Sequence, residues 1–150
     1  MEDNCWIDLN GNCLEEVPEG MYGFVYEIKV KPSYAVPNEM WYKTYVGKKT
    51  FTFRRKTKLS KKARVGTRKR IEIKQVDSNW KKYWGSSKEL LGDIQLYGEE
   101  NFERKILCFC RNKSELSYYE LYWQIENRVL FENSYNGWIS AKIYKKHLNV

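Results

Sequence analysis

The chain has 150 residues, carries 27 Lys+Arg against 19 Asp+Glu for a formal +8, and is 42% apolar and 16% aromatic. That is the size of a single domain with enough apolar side chain for a core, which excludes wholesale disorder. The longest unbroken apolar run, Ile106–Cys110, has five residues; a membrane helix needs about 20, and the acidic start without an apolar segment argues against a secretory signal.

Residues 1–20 hold six acids (Glu2, Asp3, Asp8, Glu15, Glu16, Glu19) and no Lys or Arg. They mark an acidic lead-in ahead of a domain spanning 21–150. Tyr22, Phe24, Tyr26, Ile28 and Val30 fall on one parity, the period of a strand with one buried face. Pro32 and Pro37 bracket a loop, because a central strand does not tolerate them. Trp41–Lys49, rich in Trp, Tyr, Thr and Val, predicts a second strand that pairs with the first as a hairpin with a long connection.

A basic insertion of about residues 54–76 follows. The early part, near Phe51–Lys58, predicts a turn of helix, Leu59–Arg70 a flexible arm, and Ile71–Val76 a short extended piece. Ser86-Ser87-Lys88-Glu89 has the form of a capping box with Ser86 at the cap. Leu90, Leu91, Ile94 and Tyr97 continue at helical spacing to a stop at Gly98. Phe102–Cys110 predicts a third strand. A second box at Asn112–Glu115 opens a helix to about Leu130, with an apolar stripe of Tyr118, Leu121, Tyr122, Ile125 and Val129. Phe131–Val150 is expected to be irregular or short-stranded, with a turn at Asn136-Gly137. The sum is a mixed α/β domain of the α+β class: a small antiparallel three-stranded sheet flanked by helices.

Cys5 and Cys13, like Cys108 and Cys110, lack zinc-site spacing. Cys108 and Cys110 share a strand face, where cysteine packs as a small hydrophobe. Reduced thiols and a cytoplasmic setting are expected. With one histidine, His147, in the whole chain, catalytic schemes needing several are nearly excluded.

Charge is the strongest compositional signal. Lys48–Gln75 holds thirteen bases (Lys48, Lys49, Arg54, Arg55, Lys56, Lys58, Lys61, Lys62, Arg64, Arg68, Lys69, Arg70, Lys74) and one acid, Glu72. Such density repels itself unless an anion lies beside it, and a polyphosphate backbone is the natural partner. Trp80, Tyr83 and Trp84 interleave with Lys81 and Lys82; they either stack on exposed bases or anchor the insertion to the core. Glu120 meets Leu116, Tyr119 and Trp123 at helical spacing. A carboxylate there needs compensation, as a lysine-paired boundary residue, a metal ligand or a catalytic acid group.

Phe24-Val25-Tyr26 and Tyr45-Val46-Gly47 on the hairpin, Arg55 beyond it, Glu120 on a helix and Tyr135-Asn136 near the end resemble, in that order, the signature of GIY-YIG nucleases. Ser86-Ser87-Lys88 with Gly98-Glu99-Glu100-Asn101-Phe102 is particularly similar to phage enzymes of that family, homing and free-standing. The resemblance spans roughly Tyr22 to Trp138, with Phe24 standing in place of the first glycine. It implies metal-dependent hydrolysis of double-stranded DNA, in the host cytoplasm if phage-encoded, with no membrane and no small-molecule cofactor. It also implies roles: Tyr26 and Tyr45 at the attacking water, Arg55 on the scissile phosphate, and Asn136 in support. Glu120 would hold one divalent cation, Mg²⁺ or else Mn²⁺. Gly47 would let backbone approach DNA, and Ser86, Ser87 and Lys88 join the bases above, with Lys81 and Lys82, as DNA contacts. The alternative reading is a catalytically inactive nucleic-acid-binding module on the same scaffold.

Overall fold

The computed structural model describes residues 4–141 and 144–148; residues 1–3, 142–143 and 149–150, at the ends of the acidic lead-in and within the expected irregular tail, lie outside the described residues. The strands are β1 (Trp6–Ile7), β2 (Gly23–Val30), β3 (Thr44–Thr50), β4 (Thr52–Lys58), β5 (Ile71–Asp77) and β6 (Phe102–Cys110). The α-helices are α1 (Lys88–Tyr97) and α2 (Lys113–Glu126). Among the described residues they form a four-stranded sheet ordered β1-β6-β2-β3 and a separate two-stranded sheet of β4 and β5. The mixed class holds; the expected three-stranded sheet gains a fourth strand. Trp6 and Ile7 add β1 parallel to β6 opposite Arg104 and Lys105, a pairing two residues long that leaves no periodic trace in the sequence.

The central strand, β2, runs antiparallel to both β3 and β6. It is buried on both faces because each parity meets a different layer. Phe24, Tyr26, Ile28 and Val30 pack with Trp6, Phe51, Trp80, Trp84, Leu90 and Phe102. Val25 packs with Val46, Cys110, Leu116, Val129 and Leu130 on the α2 side. Trp80 and Trp84 are therefore anchors, at 4% and 9% exposure.

The helix caps differ in detail from the sequence reading. Ser87, not Ser86, caps α1 and accepts from the N–H of Leu90 at 3.2 Å. Asn112 caps α2 through the N–H of Glu115 at 2.8 Å. That helix ends at Glu126, and its expected apolar stripe is split: Tyr118, Tyr122 and Ile125 are exposed, whereas Leu121 packs against the core and Val129, just past the helix, is buried. The inward column is Leu116, Glu120 and Gln124, four residues apart.

The lead-in joins the fold from Trp6, whose indole is buried and donates to the carbonyl of Trp80 at 2.6 Å. A turn built on Asp8, whose carboxylate accepts from the N–H groups of Asn10 and Asn12, brings Cys5 and Cys13 to a Cα separation of 5.7 Å, where they form a disulfide. This corrects the expectation of four reduced thiols; Cys108 and Cys110 are free. No helix among the described residues is long and apolar enough to cross a membrane.

Candidate active site

A cleft of about 540 Å³ opens where the edge strand β3 meets the N-terminus of α1, the middle of α2 and residues 135–140. Its lining includes Tyr26, Tyr45, Lys48, Tyr83, Ser86, Ser87, Glu120, Gln124 and Asn136. Alternation along β3 explains how one strand serves two walls. Tyr45 and Gly47 lie on the face of their cross-strand partners Ile28 and Tyr26, whereas Val46 and Lys48 face α2.

Tyr26 is set by a register shift. Val25 pairs with Cys108 but Tyr26 with Ile106, and such an irregularity re-aims the side chain beyond it. The ring lies 6.1 Å from those of Tyr45 and Tyr83. A Cβ on Gly47 would stand 2.6 Å from the Tyr26 hydroxyl, and one on Gly85 would stand 3.0 Å from the Tyr45 ring. The glycine of Tyr45-Val46-Gly47 is thus needed for the Tyr26 ring beside it. Burial, with Tyr45 and Tyr83 alongside, pushes the Tyr26 phenol well above its ordinary value. Burial also raises Tyr45, whose hydroxyl shares a 3.1 Å hydrogen bond with Ser86. Ser86 is therefore bonded to a cleft tyrosine rather than to a helix end.

Glu120 reaches the cleft from α2. Its Oε1 lies 3.5 Å from Lys48 Nζ and accepts from the Ser140 hydroxyl. Ser140 is held in turn by Gln124 Oε1, which accepts from the Ser140 N–H at 3.0 Å. Lys48 also reaches Ser117 at 3.3 Å. Asn136 uses both ends of its amide on one residue of β3: Oδ1 accepts from the Val46 N–H at 3.0 Å and Nδ2 donates to the Val46 carbonyl at 2.9 Å. It replaces the missing neighbour of an edge strand and so fixes the wall carrying Tyr45 and Lys48.

The cleft thus unites Tyr26, Tyr45, Asn136 and Glu120. Arg55 is not brought to it: the residue is exposed on β4, opposite Lys74. The cleft's cation from this part of the chain is Lys48. Lys49 instead packs over the ring of Tyr83 at 4.2 Å, and burial lowers its ammonium. Tyr83, Gln124 and Ser140 are cleft residues that the sequence reading did not assign. Only Tyr83 had a signal, its place among aromatics and lysines. Arg104 escaped notice altogether. Its guanidinium lies between the rings of Trp6 and Trp84, at 4.7 and 4.3 Å. It donates to the carbonyls of Asn4, Lys81 and Tyr83, holding in place the segment that presents Tyr83.

Among the described residues no three His, Cys, Asp or Glu side chains gather into a metal cage. Among the described lining residues Glu120 alone offers a carboxylate, with its contacts to Ser140 and Lys48 both on Oε1. One carboxylate, with waters and substrate phosphate oxygens completing the shell, is a donor set that suits Mg²⁺.

Residues 6–144 match the family model described as "Putative endonuclease segE, GIY-YIG domain". No curated protein and no solved structure matches the chain.

Proposed function

From the premise that this chain belongs to the GIY-YIG endonuclease family, of the segE type, we propose that its cleft hydrolyses phosphodiester bonds of double-stranded DNA with a divalent cation, Mg²⁺ or Mn²⁺, at Glu120. A nuclease acts on nucleic acid; the choice of DNA, the metal and the residue roles are this proposal's own. The observation that carries it is the meeting of Tyr26, Tyr45, Lys48 and Glu120, which are far apart in sequence, in one cleft.

When bound, the cation polarises a phosphoryl oxygen and acidifies water. The chain's own groups do the rest. Lys48, 3.5 Å from Glu120, supplies the positive charge beside the phosphate that the family resemblance assigned to Arg55, and it offsets charge developing in the transition state. Tyr26, with its phenol raised by burial, keeps its proton at neutral pH. It acts as a hydrogen-bond donor that orients the water or phosphate rather than as a phenolate base. Tyr45 acts likewise, positioned by Ser86. Asn136 and Gln124 hold the two walls. Bound DNA brings further phosphates to Ser86, Ser87 and Lys88 at the start of α1, where the helix end favours anions.

Plasmid incubated with purified protein tests this. Wild type is expected to nick or cut with Mg²⁺ and not with chelator, and Glu120→Ala is expected to bind without cutting. Plasmid left equally intact by both, over several metals, would return the chain to a binding module on the same scaffold. Action in a phage homing or degradation role, in a host cytoplasm, follows only if cutting is found.

A further inference from the structure

The whole positive excess of the chain sits on one projection. Residues 52–77 carry eleven Lys+Arg and two acids, Glu72 and Asp77, a net +9; against +8 for the chain, everything else sums to −1. The stretch near Phe51–Lys58 is not the expected turn of helix: Thr52–Lys58 is a strand, and with Ile71–Asp77, where a short extended piece was expected, it makes an antiparallel ribbon in which Thr52 faces Asp77 and Lys58 faces Ile71. Apart from Thr52 and Val76, which are partly buried, every residue of β4 and β5 is exposed. An isolated two-stranded hairpin is at best marginally stable in water, so this one is a surface in want of a partner.

Its root is firm. Ser78 donates through its N–H to Phe51 at 2.8 Å and through its hydroxyl to Thr50 at 2.6 Å. Phe51 is buried, edge-on to Trp80 at 5.2 Å. The ribbon therefore leaves the body directly after the strand that carries Tyr45 and Lys48 into the cleft.

Cross-strand partners share a face, and the two faces differ. One carries Arg54 opposite Gln75, Lys56 opposite Ile73 and Lys58 opposite Ile71. With Thr52 opposite Asp77 at its root, that face holds three cations, an amide, two exposed isoleucines and one acid, Asp77, at the end next to the body. The other carries Phe53 with Val76, Arg55 with Lys74 and Thr57 with Glu72, and Glu72 lies 3.8 Å from Lys74.

Taking the cleft as a DNA nuclease, we propose that the β4–β5 ribbon lies in the major groove of the duplex beside the cut, with the Arg54–Lys56–Lys58 face toward the bases. The major groove admits a two-stranded ribbon. Arg and Gln are the side chains whose forks read guanine and adenine there, and isoleucine suits the thymine methyl. Seven residues per strand reach about 20 Å, which spans roughly six base pairs at 3.4 Å each. The connection, residues 59–70, adds six cations and no acid to meet phosphates. The narrow, deep major groove of an RNA duplex would not take the ribbon.

The test uses the full chain with Glu120→Gln, so that DNA stays uncut, and circular dichroism to check that each variant is folded. Arg54→Ala/Lys56→Ala should weaken duplex binding at least about tenfold at moderate salt and reduce the salt slope by about two. Arg55→Ala/Lys74→Ala removes the same charge from the other face and should cost less than about threefold. Equal losses from the two pairs, or none, would overturn the orientation. Duplexes enriched by the protein from a random pool should bind about tenfold more weakly when rebuilt with 7-deazapurines, which lack the major-groove N7 acceptor. No enrichment, unchanged affinity, or equal binding of double-stranded RNA would overturn the groove assignment. Failure of wild type to cut DNA in the plasmid assay would instead remove the nuclease reading while these binding results stood.

Discussion

The cleft and the ribbon are separated by a single residue, Phe51, between β3 and β4, yet they are built on opposite principles. In the cleft, polar atoms are held by protein partners: the Asn136 amide by Val46, Glu120 by Ser140 and Lys48, Tyr45 by Ser86. On the ribbon the cations stand in water, and the ion pair within it, Lys74–Glu72, is exposed, a kind of pair worth little to stability. Rigid, partnered groups suit bond-breaking, where placement decides the rate. Long-reaching unpartnered charge suits capture. On the proposed reading, the contrast teaches that charge density in a sequence marks where a polyanion is gripped, not where it is cut.

The comparison breaks most visibly at Gly47. Gly47→Ala puts a Cβ against the buried Tyr26 hydroxyl, 2.6 Å away, so the ring must shift. Cleavage should fall at least about a hundredfold and stability by about 1–3 kcal/mol, read by single-turnover rates and denaturant midpoints. DNA affinity, which the proposal assigns to the ribbon, should change little; a parallel loss of binding would mean that the two regions are not separate.

A smaller effect is expected from Asn136→Ala. The Val46 N–H loses its acceptor, while the Val46 carbonyl keeps Gln124 Nε2 at 3.2 Å, costing about 1–2 kcal/mol of stability and loosening the wall that bears Tyr45 and Lys48. Asn136→Asp should recover only part of that, because it keeps the acceptor but loses the donor. Unfolding curves for the two variants check the order.

The pH response sharpens the same contrast. Tyr26 is raised in the folded state, so the unfolded chain releases this proton first. Stability is fully present below the ordinary tyrosine value of about 10 and is lost as pH rises from there toward the folded value. Unfolding free energy should thus be unaffected by this group between pH 7 and 9 and should decline above about 10, with a shallower decline in Tyr26→Phe. An identical decline in both would show that Tyr26 is not held protonated by the core.

What was legible in the sequence follows from what each signal measures. Period-two patterning found β2 because one of its parities is uniformly apolar, and it missed the ribbon because Thr52–Lys58 buries neither face and so has nothing to alternate. The α2 stripe was right at Leu121 and Val129 and wrong at its other three residues, for a related reason. Apolar spacing was taken for the buried side, but the helix turns Glu120 and Gln124 inward to serve the cleft and leaves Tyr118, Tyr122 and Ile125 outside. The ordered motif named Tyr26, Tyr45, Glu120 and Asn136, which the fold gathers along one cleft. Lys48 was counted only among the bases, and Ser140 carries no mark in the sequence, since its meeting with Glu120 depends on how residues 131–140 pack. Arg55 was chosen by motif order, yet the β4–β5 register carries it away from the cleft.

The most direct measurement of this division is the single-turnover cleavage rate of DNA already bound at saturating protein, compared between Lys48→Ala and Arg55→Ala. With Lys48 at the scissile phosphate and Arg55 on the ribbon, Lys48→Ala should lose about a hundredfold or more, the scale of one transition-state contact, while Arg55→Ala stays within about threefold of wild type. A loss in Arg55→Ala as large as that in Lys48→Ala, with binding saturated in both, would contradict the account.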